Sequence, residues 1–158
     1  MGSGKSRVAR ELARHLNVTM VDLDTVITER EGKSPACLIV EHGEPYFRSI
    51  ESAVLRDLLQ GGAAAIIALG GGAWIEETNR QIISEYGCES VWLDAPFEVC
   101  WTRIEASAED RPLGRTRDQA AALYDRRRPI YQLAAIQVEI LGDNLREVIA
   151  TIERKLSN

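Results

Sequence analysis

The chain has 158 residues, 45% of them apolar and 27% charged, with a net charge of −5. This is the make-up of one ordinary globular domain that can bury a core, and it lacks the basic field that a nucleic acid backbone or an anionic membrane surface requires. Neither kind of partner is expected.

The chain opens "MGSGKS" and runs into "KSRVARELARHL", where Val8, Leu12 and Leu16 recur at helical spacing with charges between them. Gly-x-Gly-Lys-Ser opening a helix is the second half of a phosphate-binding loop; the full pattern has a further glycine upstream. Gly2, Gly4, Lys5 and Ser6 would supply backbone N–H groups, an ammonium and a hydroxyl to phosphates and one cation. The structural alternative is a helix cap at Ser3 or Ser6.

"VTMVDLD" follows as a strand ending at two aspartates, which places Asp22 and Asp24 on one side of its C-terminal end. Two acids there suit a cation and a hydroxyl. The alternative is that an aspartate caps the next helix, "TVITEREG", which Gly32 stops. "GEPYFRSIESAVLRDLLQGG" carries Phe47, Ile50, Val54, Leu55 and Leu58 on one helical face and ends at Gly61 and Gly62. Within it, Arg48 stands four residues after Glu44, the spacing of an exposed ion pair worth about 0.3 kcal/mol.

"AAAIIALGGG" reads as an apolar strand running into Gly70, Gly71 and Gly72, where a ligand can lie against bare backbone. A helix from about 75 to 86 separates it from a second apolar strand, "SVWLDA". Strands of this kind alternating with helices predict a parallel sheet covered on both faces. A helix near 97 to 105, the polar stretch "EASAEDRPLGRTRD", a helix through "QAAALYDRRRPIYQLAA", the strand "QVEIL" and the helix "NLREVIATIERKL" complete the chain. Arginines fall repeatedly between 103 and 128, where planar guanidinium groups suit a small anionic ligand. Taken locally, Arg127 is only a cation near a proline, and Arg111 one arginine in a polar loop. His15 and His42 suggest no histidine chemistry. Cys37, Cys88 and Cys100 are widely spaced without a C-x-x-C pair, so neither a disulfide framework nor a zinc site is indicated and a reducing cytoplasm is expected.

In this order, G-x-G-K-S, D-x-D, "GEPYFRSIE", "GGG", "RPL" and "RRPIY" resemble the shikimate kinase family over essentially the whole chain. The resemblance implies a three-layer α/β/α P-loop fold with a parallel sheet in strand order 2-3-1-4-5. It also implies a single domain over residues 1–158, with a substrate-binding region at about 25–60 and a lid at about 106–117. The implied reaction is ATP-dependent phosphorylation of the 3-hydroxyl of shikimate, by a monomer using Mg2+. The alternatives are a shikimate-binding relative without kinase activity, or a small-molecule kinase with another acceptor such as gluconate.

Residue by residue, the resemblance places ATP on Gly2, Ser3, Gly4, Lys5, Ser6 and Arg7, with Arg103 on the nucleotide side and Arg111 as the lid arginine. Magnesium falls to Ser6 and Asp22. Shikimate falls to Asp24, Arg48, Gly70, Gly71, Gly72 and Arg127, and the catalytic set is Lys5, Asp24 and Arg111. Arg7 stands where the family has a small hydroxyl residue, and Gly114 follows the lid motif where a second leucine is usual. The strand that leads into the phosphate loop is missing from the sequence, and the natural protein is expected to extend about ten residues further upstream, one strand and the loop's first glycine.

Overall fold

A computed structural model describes residues 2–62, 64–106, 116–140, 142 and 144–157. The chain divides into two compact units, Ala9–Cys88 and the pair of segments Met1–Val8 with Glu89–Asn158. The boundary falls inside the first helix, α1 (Lys5–Leu16).

In the Ala9–Cys88 unit, β1 (Met20–Asp22) leads straight into α2 (Leu23–Glu31). The strand is shorter than the sequence pattern suggests. Asp22 is the helix cap, its carboxylate accepting the Asp24 N–H at 3.1 Å, so the backbone turns helical at Leu23 and Asp24 sits in the first turn of α2. The expectation that both aspartates point to one side of a strand is therefore corrected, because a satisfied N-cap outweighs one more residue of extended chain. Gly32 ends α2 in the left-handed conformation, φ 68°.

A helix that the periodicity does not reveal follows: α3 (Pro35–His42), capped by Ser34 and opened by Pro35 at its first position. Next comes α4 (Glu44–Gly61), closed by Gly62 at φ 59° as its glycine pair predicts. β2 (Ile66–Ala68) pairs with β1 in parallel, Met20 opposite Ile66 and Asp22 opposite Ala68. α5 (Glu77–Glu85) completes the unit. Leu23, Ile27, Leu38, Phe47, Val54, Leu55, Ala73 and Ile83 form its buried cluster. Each large member contributes roughly 1.5–3 kcal/mol by leaving water, so α2, α3, α4 and the turn after β2 are held as one body.

In the other unit, β3 (Val91–Asp94) pairs in parallel with β4 (Ile136–Glu139). Between them run α6 (Phe97–Glu105) and α7 (Arg117–Tyr131), and α8 (Leu145–Leu156) follows β4. Thr116 and Gln119 close a reciprocal capping box on α7. At the C-terminal end of β3, Asp94 accepts both ends of the Arg128 guanidinium at 2.6 and 2.7 Å, and the Tyr124 hydroxyl donates to Ala95 O at 3.0 Å. These bonds fasten α7 to the strand. The described strands form two separate parallel pairs, β1–β2 and β3–β4, and the expected order 2-3-1-4-5 would need a fifth strand, which does not occur among the described residues. No helix among them is long and apolar enough to cross a membrane.

Candidate active site

The phosphate-loop motif lies at the start of α1. Gly2 and Gly4 take φ values of 67° and 87°, which only glycine adopts without strain. A Cβ on Gly2 would overlap the backbone carbonyl of Cys100. Arg103 on α6 donates from Nη1 to Gly2 O at 3.4 Å. The α1 ladder begins within the motif, Val8 N–H donating to Gly4 O at 3.0 Å. Lys5 is half-buried at the helix start, and Ser6 and Arg7 are exposed on its first turn. The helix N-terminus thus coincides with the glycines, the arrangement an anion requires. Beneath the loop, burial pushes the Cys100 thiol up from its ordinary value, against the lowering by Arg103 and Lys5.

Arg127 lies on α7 of the same unit and is only 9% exposed. No hydrogen bond or ion pair joins its guanidinium to another described residue. The neighbouring Arg128 is the one tied to Asp94. A cation held out of water without a counter-charge is costly until an anion arrives. Arg111 and Gly114 lie outside the described residues, as does most of the expected lid.

The Ala9–Cys88 unit gathers a second set around the turn that follows β2. Asp24 approaches Gly70 so closely that a Cβ there would stand 2.9 Å from Oδ1, and the Arg48 guanidinium occupies the space of a Cβ on Gly72. The glycines at 70 and 72 are thus required by two side chains of the site. Gly71 lies between them.

Arg48 is far from the exposed ion pair that its spacing suggests. It is 13% exposed and bonds Glu44 at 2.8 Å and Glu51 at 2.7 Å, with Glu76 at 3.8 Å. Glu51 is the residue that sequence reasoning missed. It sits on the apolar face of α4, 1% exposed. Its carboxyl is pushed up to about 7, first by burial and then by the negative charges of Asp24 and Glu76, against the lowering by Arg48. Burial lowers the Arg48 pKa, but Glu51 and Glu44 outweigh it and the net direction is up. The signal was available in the sequence, a lone glutamate three residues after an arginine and among apolar face positions, yet its burial depends on α2 and the turn.

A model of the shikimate kinase family matches residues 1–157. A shikimate kinase of Cereibacter sphaeroides is 40% identical over 161 aligned positions, covering 96% of this chain and 79% of its own length. Among solved structures, the shikimate kinase of Aquifex aeolicus is 35% identical with a TM-score of 0.84, covering 99% of this chain and 92% of that one. The shikimate kinase of Acinetobacter baumannii in complex with shikimate is 28% identical with a TM-score of 0.90, covering 99% of this chain and 88% of that one. The match over residues 1–157 and these relatives show that the chain belongs to the shikimate kinase family of phosphotransferases.

Proposed function

We propose that this chain transfers the γ-phosphoryl group of ATP to the 3-hydroxyl of shikimate, giving shikimate 3-phosphate and ADP for aromatic amino acid biosynthesis. The observation that carries this reading is the 70–72 turn, which keeps one carboxylate, Asp24, and one guanidinium, Arg48, against its outer glycines. A small acid bearing hydroxyls calls for that pair of groups. The nearly buried Arg127 supports it as the second cation for the acid's carboxylate.

The family is ATP-dependent and works with a divalent cation; magnesium is the ion proposed here. Ser6 and Asp22 would hold it. A hydroxyl and a carboxylate are hard oxygen donors, and an ion shared with phosphates and water needs no larger protein cage. When bound, the cation would neutralise charge on the phosphate oxygens.

The N–H groups from Gly2 to Ser6 and the Lys5 ammonium hold the phosphates, Arg7 and Arg103 add positive charge on the nucleotide side, and Arg111 acts from the lid. Asp24 orients the attacking hydroxyl and accepts its proton as the new O–P bond forms and the bond from the γ-phosphorus to the ADP oxygen breaks. Arg48 and Arg127 grip the substrate carboxylate, with Glu44, the most exposed partner of Arg48, giving way. Gly71 lines the ring. The protein acts as a monomer in the cytoplasm, a location supported by the unpaired state of Cys37, Cys88 and Cys100.

A coupled assay of ADP release tests the reading. Release that rises with shikimate and stays flat with gluconate is the expected outcome. Calorimetric binding of shikimate without ADP release would make the chain a binding protein, and release with gluconate alone would reassign the acceptor.

A further inference from the structure

The turn that carries Gly70 and Gly72 does not hold itself. Two of its own backbone bonds, Ala73 N–H to Gly70 O at 3.1 Å and Ile75 N–H to Gly72 O at 3.0 Å, curl it into successive tight turns. Three consecutive carbonyls, those of residues 73 to 75, lie within reach of the first turn of α5. All three are taken by side chains of two adjacent residues on that helix. Asn79 Nδ2 donates to Ala73 O at 2.9 Å, and a single nitrogen of Arg80, Nη1, donates to both Trp74 O and Ile75 O at 2.7 Å.

Asn79 is fully buried and its Oδ1 has no partner among the described residues. An amide kept in a core with half its hydrogen-bonding capacity unused is held at a cost of roughly 1–3 kcal/mol. Its amide nitrogen donates to Ala73 O. The carbonyls they hold follow directly on the glycines against which the Asp24 and Arg48 side chains rest.

We propose that Arg80, together with Asn79, is a positioning residue for the acceptor side of the reaction, acting through the 70–75 turn on Asp24 and Arg48. This inference rests on the functional reading above. Loss of the clamp lets the turn shift by a fraction of an ångström to an ångström, and displacement on that scale weakens the capture of a rigid polar ligand by roughly ten-fold or more. Because both Arg80 bonds come from one nitrogen, lysine, with three donors on one nitrogen, is able to replace them. A role in general stability alone would weaken shikimate and ADP alike.

The experiment is calorimetric titration of shikimate and of ADP into the wild type, Arg80→Met and Arg80→Lys, with thermal melts of each and, in a Trp92→Phe, Trp101→Phe background, the fluorescence of Trp74 as a local reporter of the turn. The expected result is a roughly ten-fold weaker Kd for shikimate in Arg80→Met, recovery to within about two-fold in Arg80→Lys, unchanged ADP affinity and an altered Trp74 signal. Should Arg80→Met not fold, Arg80→Gln, which keeps polarity at the site but is too short to reach both carbonyls, takes its place. Unchanged shikimate affinity in Arg80→Met overturns the inference and leaves the functional reading intact. So does equal weakening of both ligands, or no recovery with lysine. A wild type that does not bind shikimate overturns the functional reading and the inference with it.

Discussion

The Arg48 guanidinium fills the space that a side chain on Gly72 would need, so the turn after β2 and the first half of α4 are complementary surfaces at one point. Gly72 carries no positive φ, and alanine there meets only the far end of a flexible side chain. Gly72→Ala is therefore expected to cost little stability, about 1 kcal/mol, while displacing Arg48 from Glu51. Shikimate affinity should fall at least ten-fold with the melting temperature within a few degrees of wild type, as read by titration calorimetry and thermal denaturation. Unchanged affinity would mean that Arg48 has no part in holding the acid.

Gly2 presents the opposite case, since both its φ of 67° and the carbonyl of Cys100 oppose any side chain. Backbone gives way poorly, so Gly2→Ala should distort the glycine loop itself. A loss of ATP affinity of ten-fold or more is expected, with Gly4→Ala milder because only a guanidinium nitrogen stands near its Cβ, at 3.7 Å. Fluorescent nucleotide displacement by ATP measures both.

Glu51 makes stability depend on pH. Its carboxyl titrates near 7 in the folded chain, above its ordinary value of 4.5, so between these limits the folded state binds more protons than the unfolded one. Stability contributed by the protonated form is present below about 4.5 and is lost as pH rises through about 7, a change on the order of 3 kcal/mol. Glu51→Gln should flatten this window. Urea denaturation at pH 5 and pH 8 checks it, and an equal pH dependence in wild type and variant would remove Glu51 as the cause.

Arg127 and Asp24 separate binding from turnover. Arg127→Ala removes a cation that has no other described partner, and should raise the shikimate KM by roughly a hundred-fold while leaving the ATP KM unchanged. Asp24→Asn should instead depress kcat by roughly a hundred-fold or more, as expected for a group that accepts the proton of the attacking hydroxyl. Steady-state kinetics with each substrate varied in turn distinguish the two. An Asp24→Asn effect confined to KM would reduce that residue to a binding role.

Much of the fold is legible residue by residue because its signals are local. Gly32 and Gly62 mark helix ends by a left-handed conformation that glycine adopts cheaply, and the apolar spacing of α4 needs nothing beyond its own sequence to be read. The helix α3 escaped because its eight residues are too apolar to show a face, although Ser34 and Pro35 mark its start. Asp24 was misplaced onto a strand because strand and cap compete for the same few residues, and the competition is decided by one hydrogen bond from Asp24 N–H to Asp22.

The family was legible in the sequence alone, from a glycine loop, an acidic pair, a glycine turn and arginines in one recognisable order. What only the tertiary structure decided is how those groups are held. Gly70 and Gly72 are needed by Asp24 and Arg48, Glu51 is buried beneath Arg48, and Arg80 fastens the turn. The Gly70–Asp24 and Gly72–Arg48 relations join residues distant in the chain, and even the nearer ones, Arg48–Glu51 and Arg80 with the turn, come from close packing and desolvation, which no spacing rule encodes.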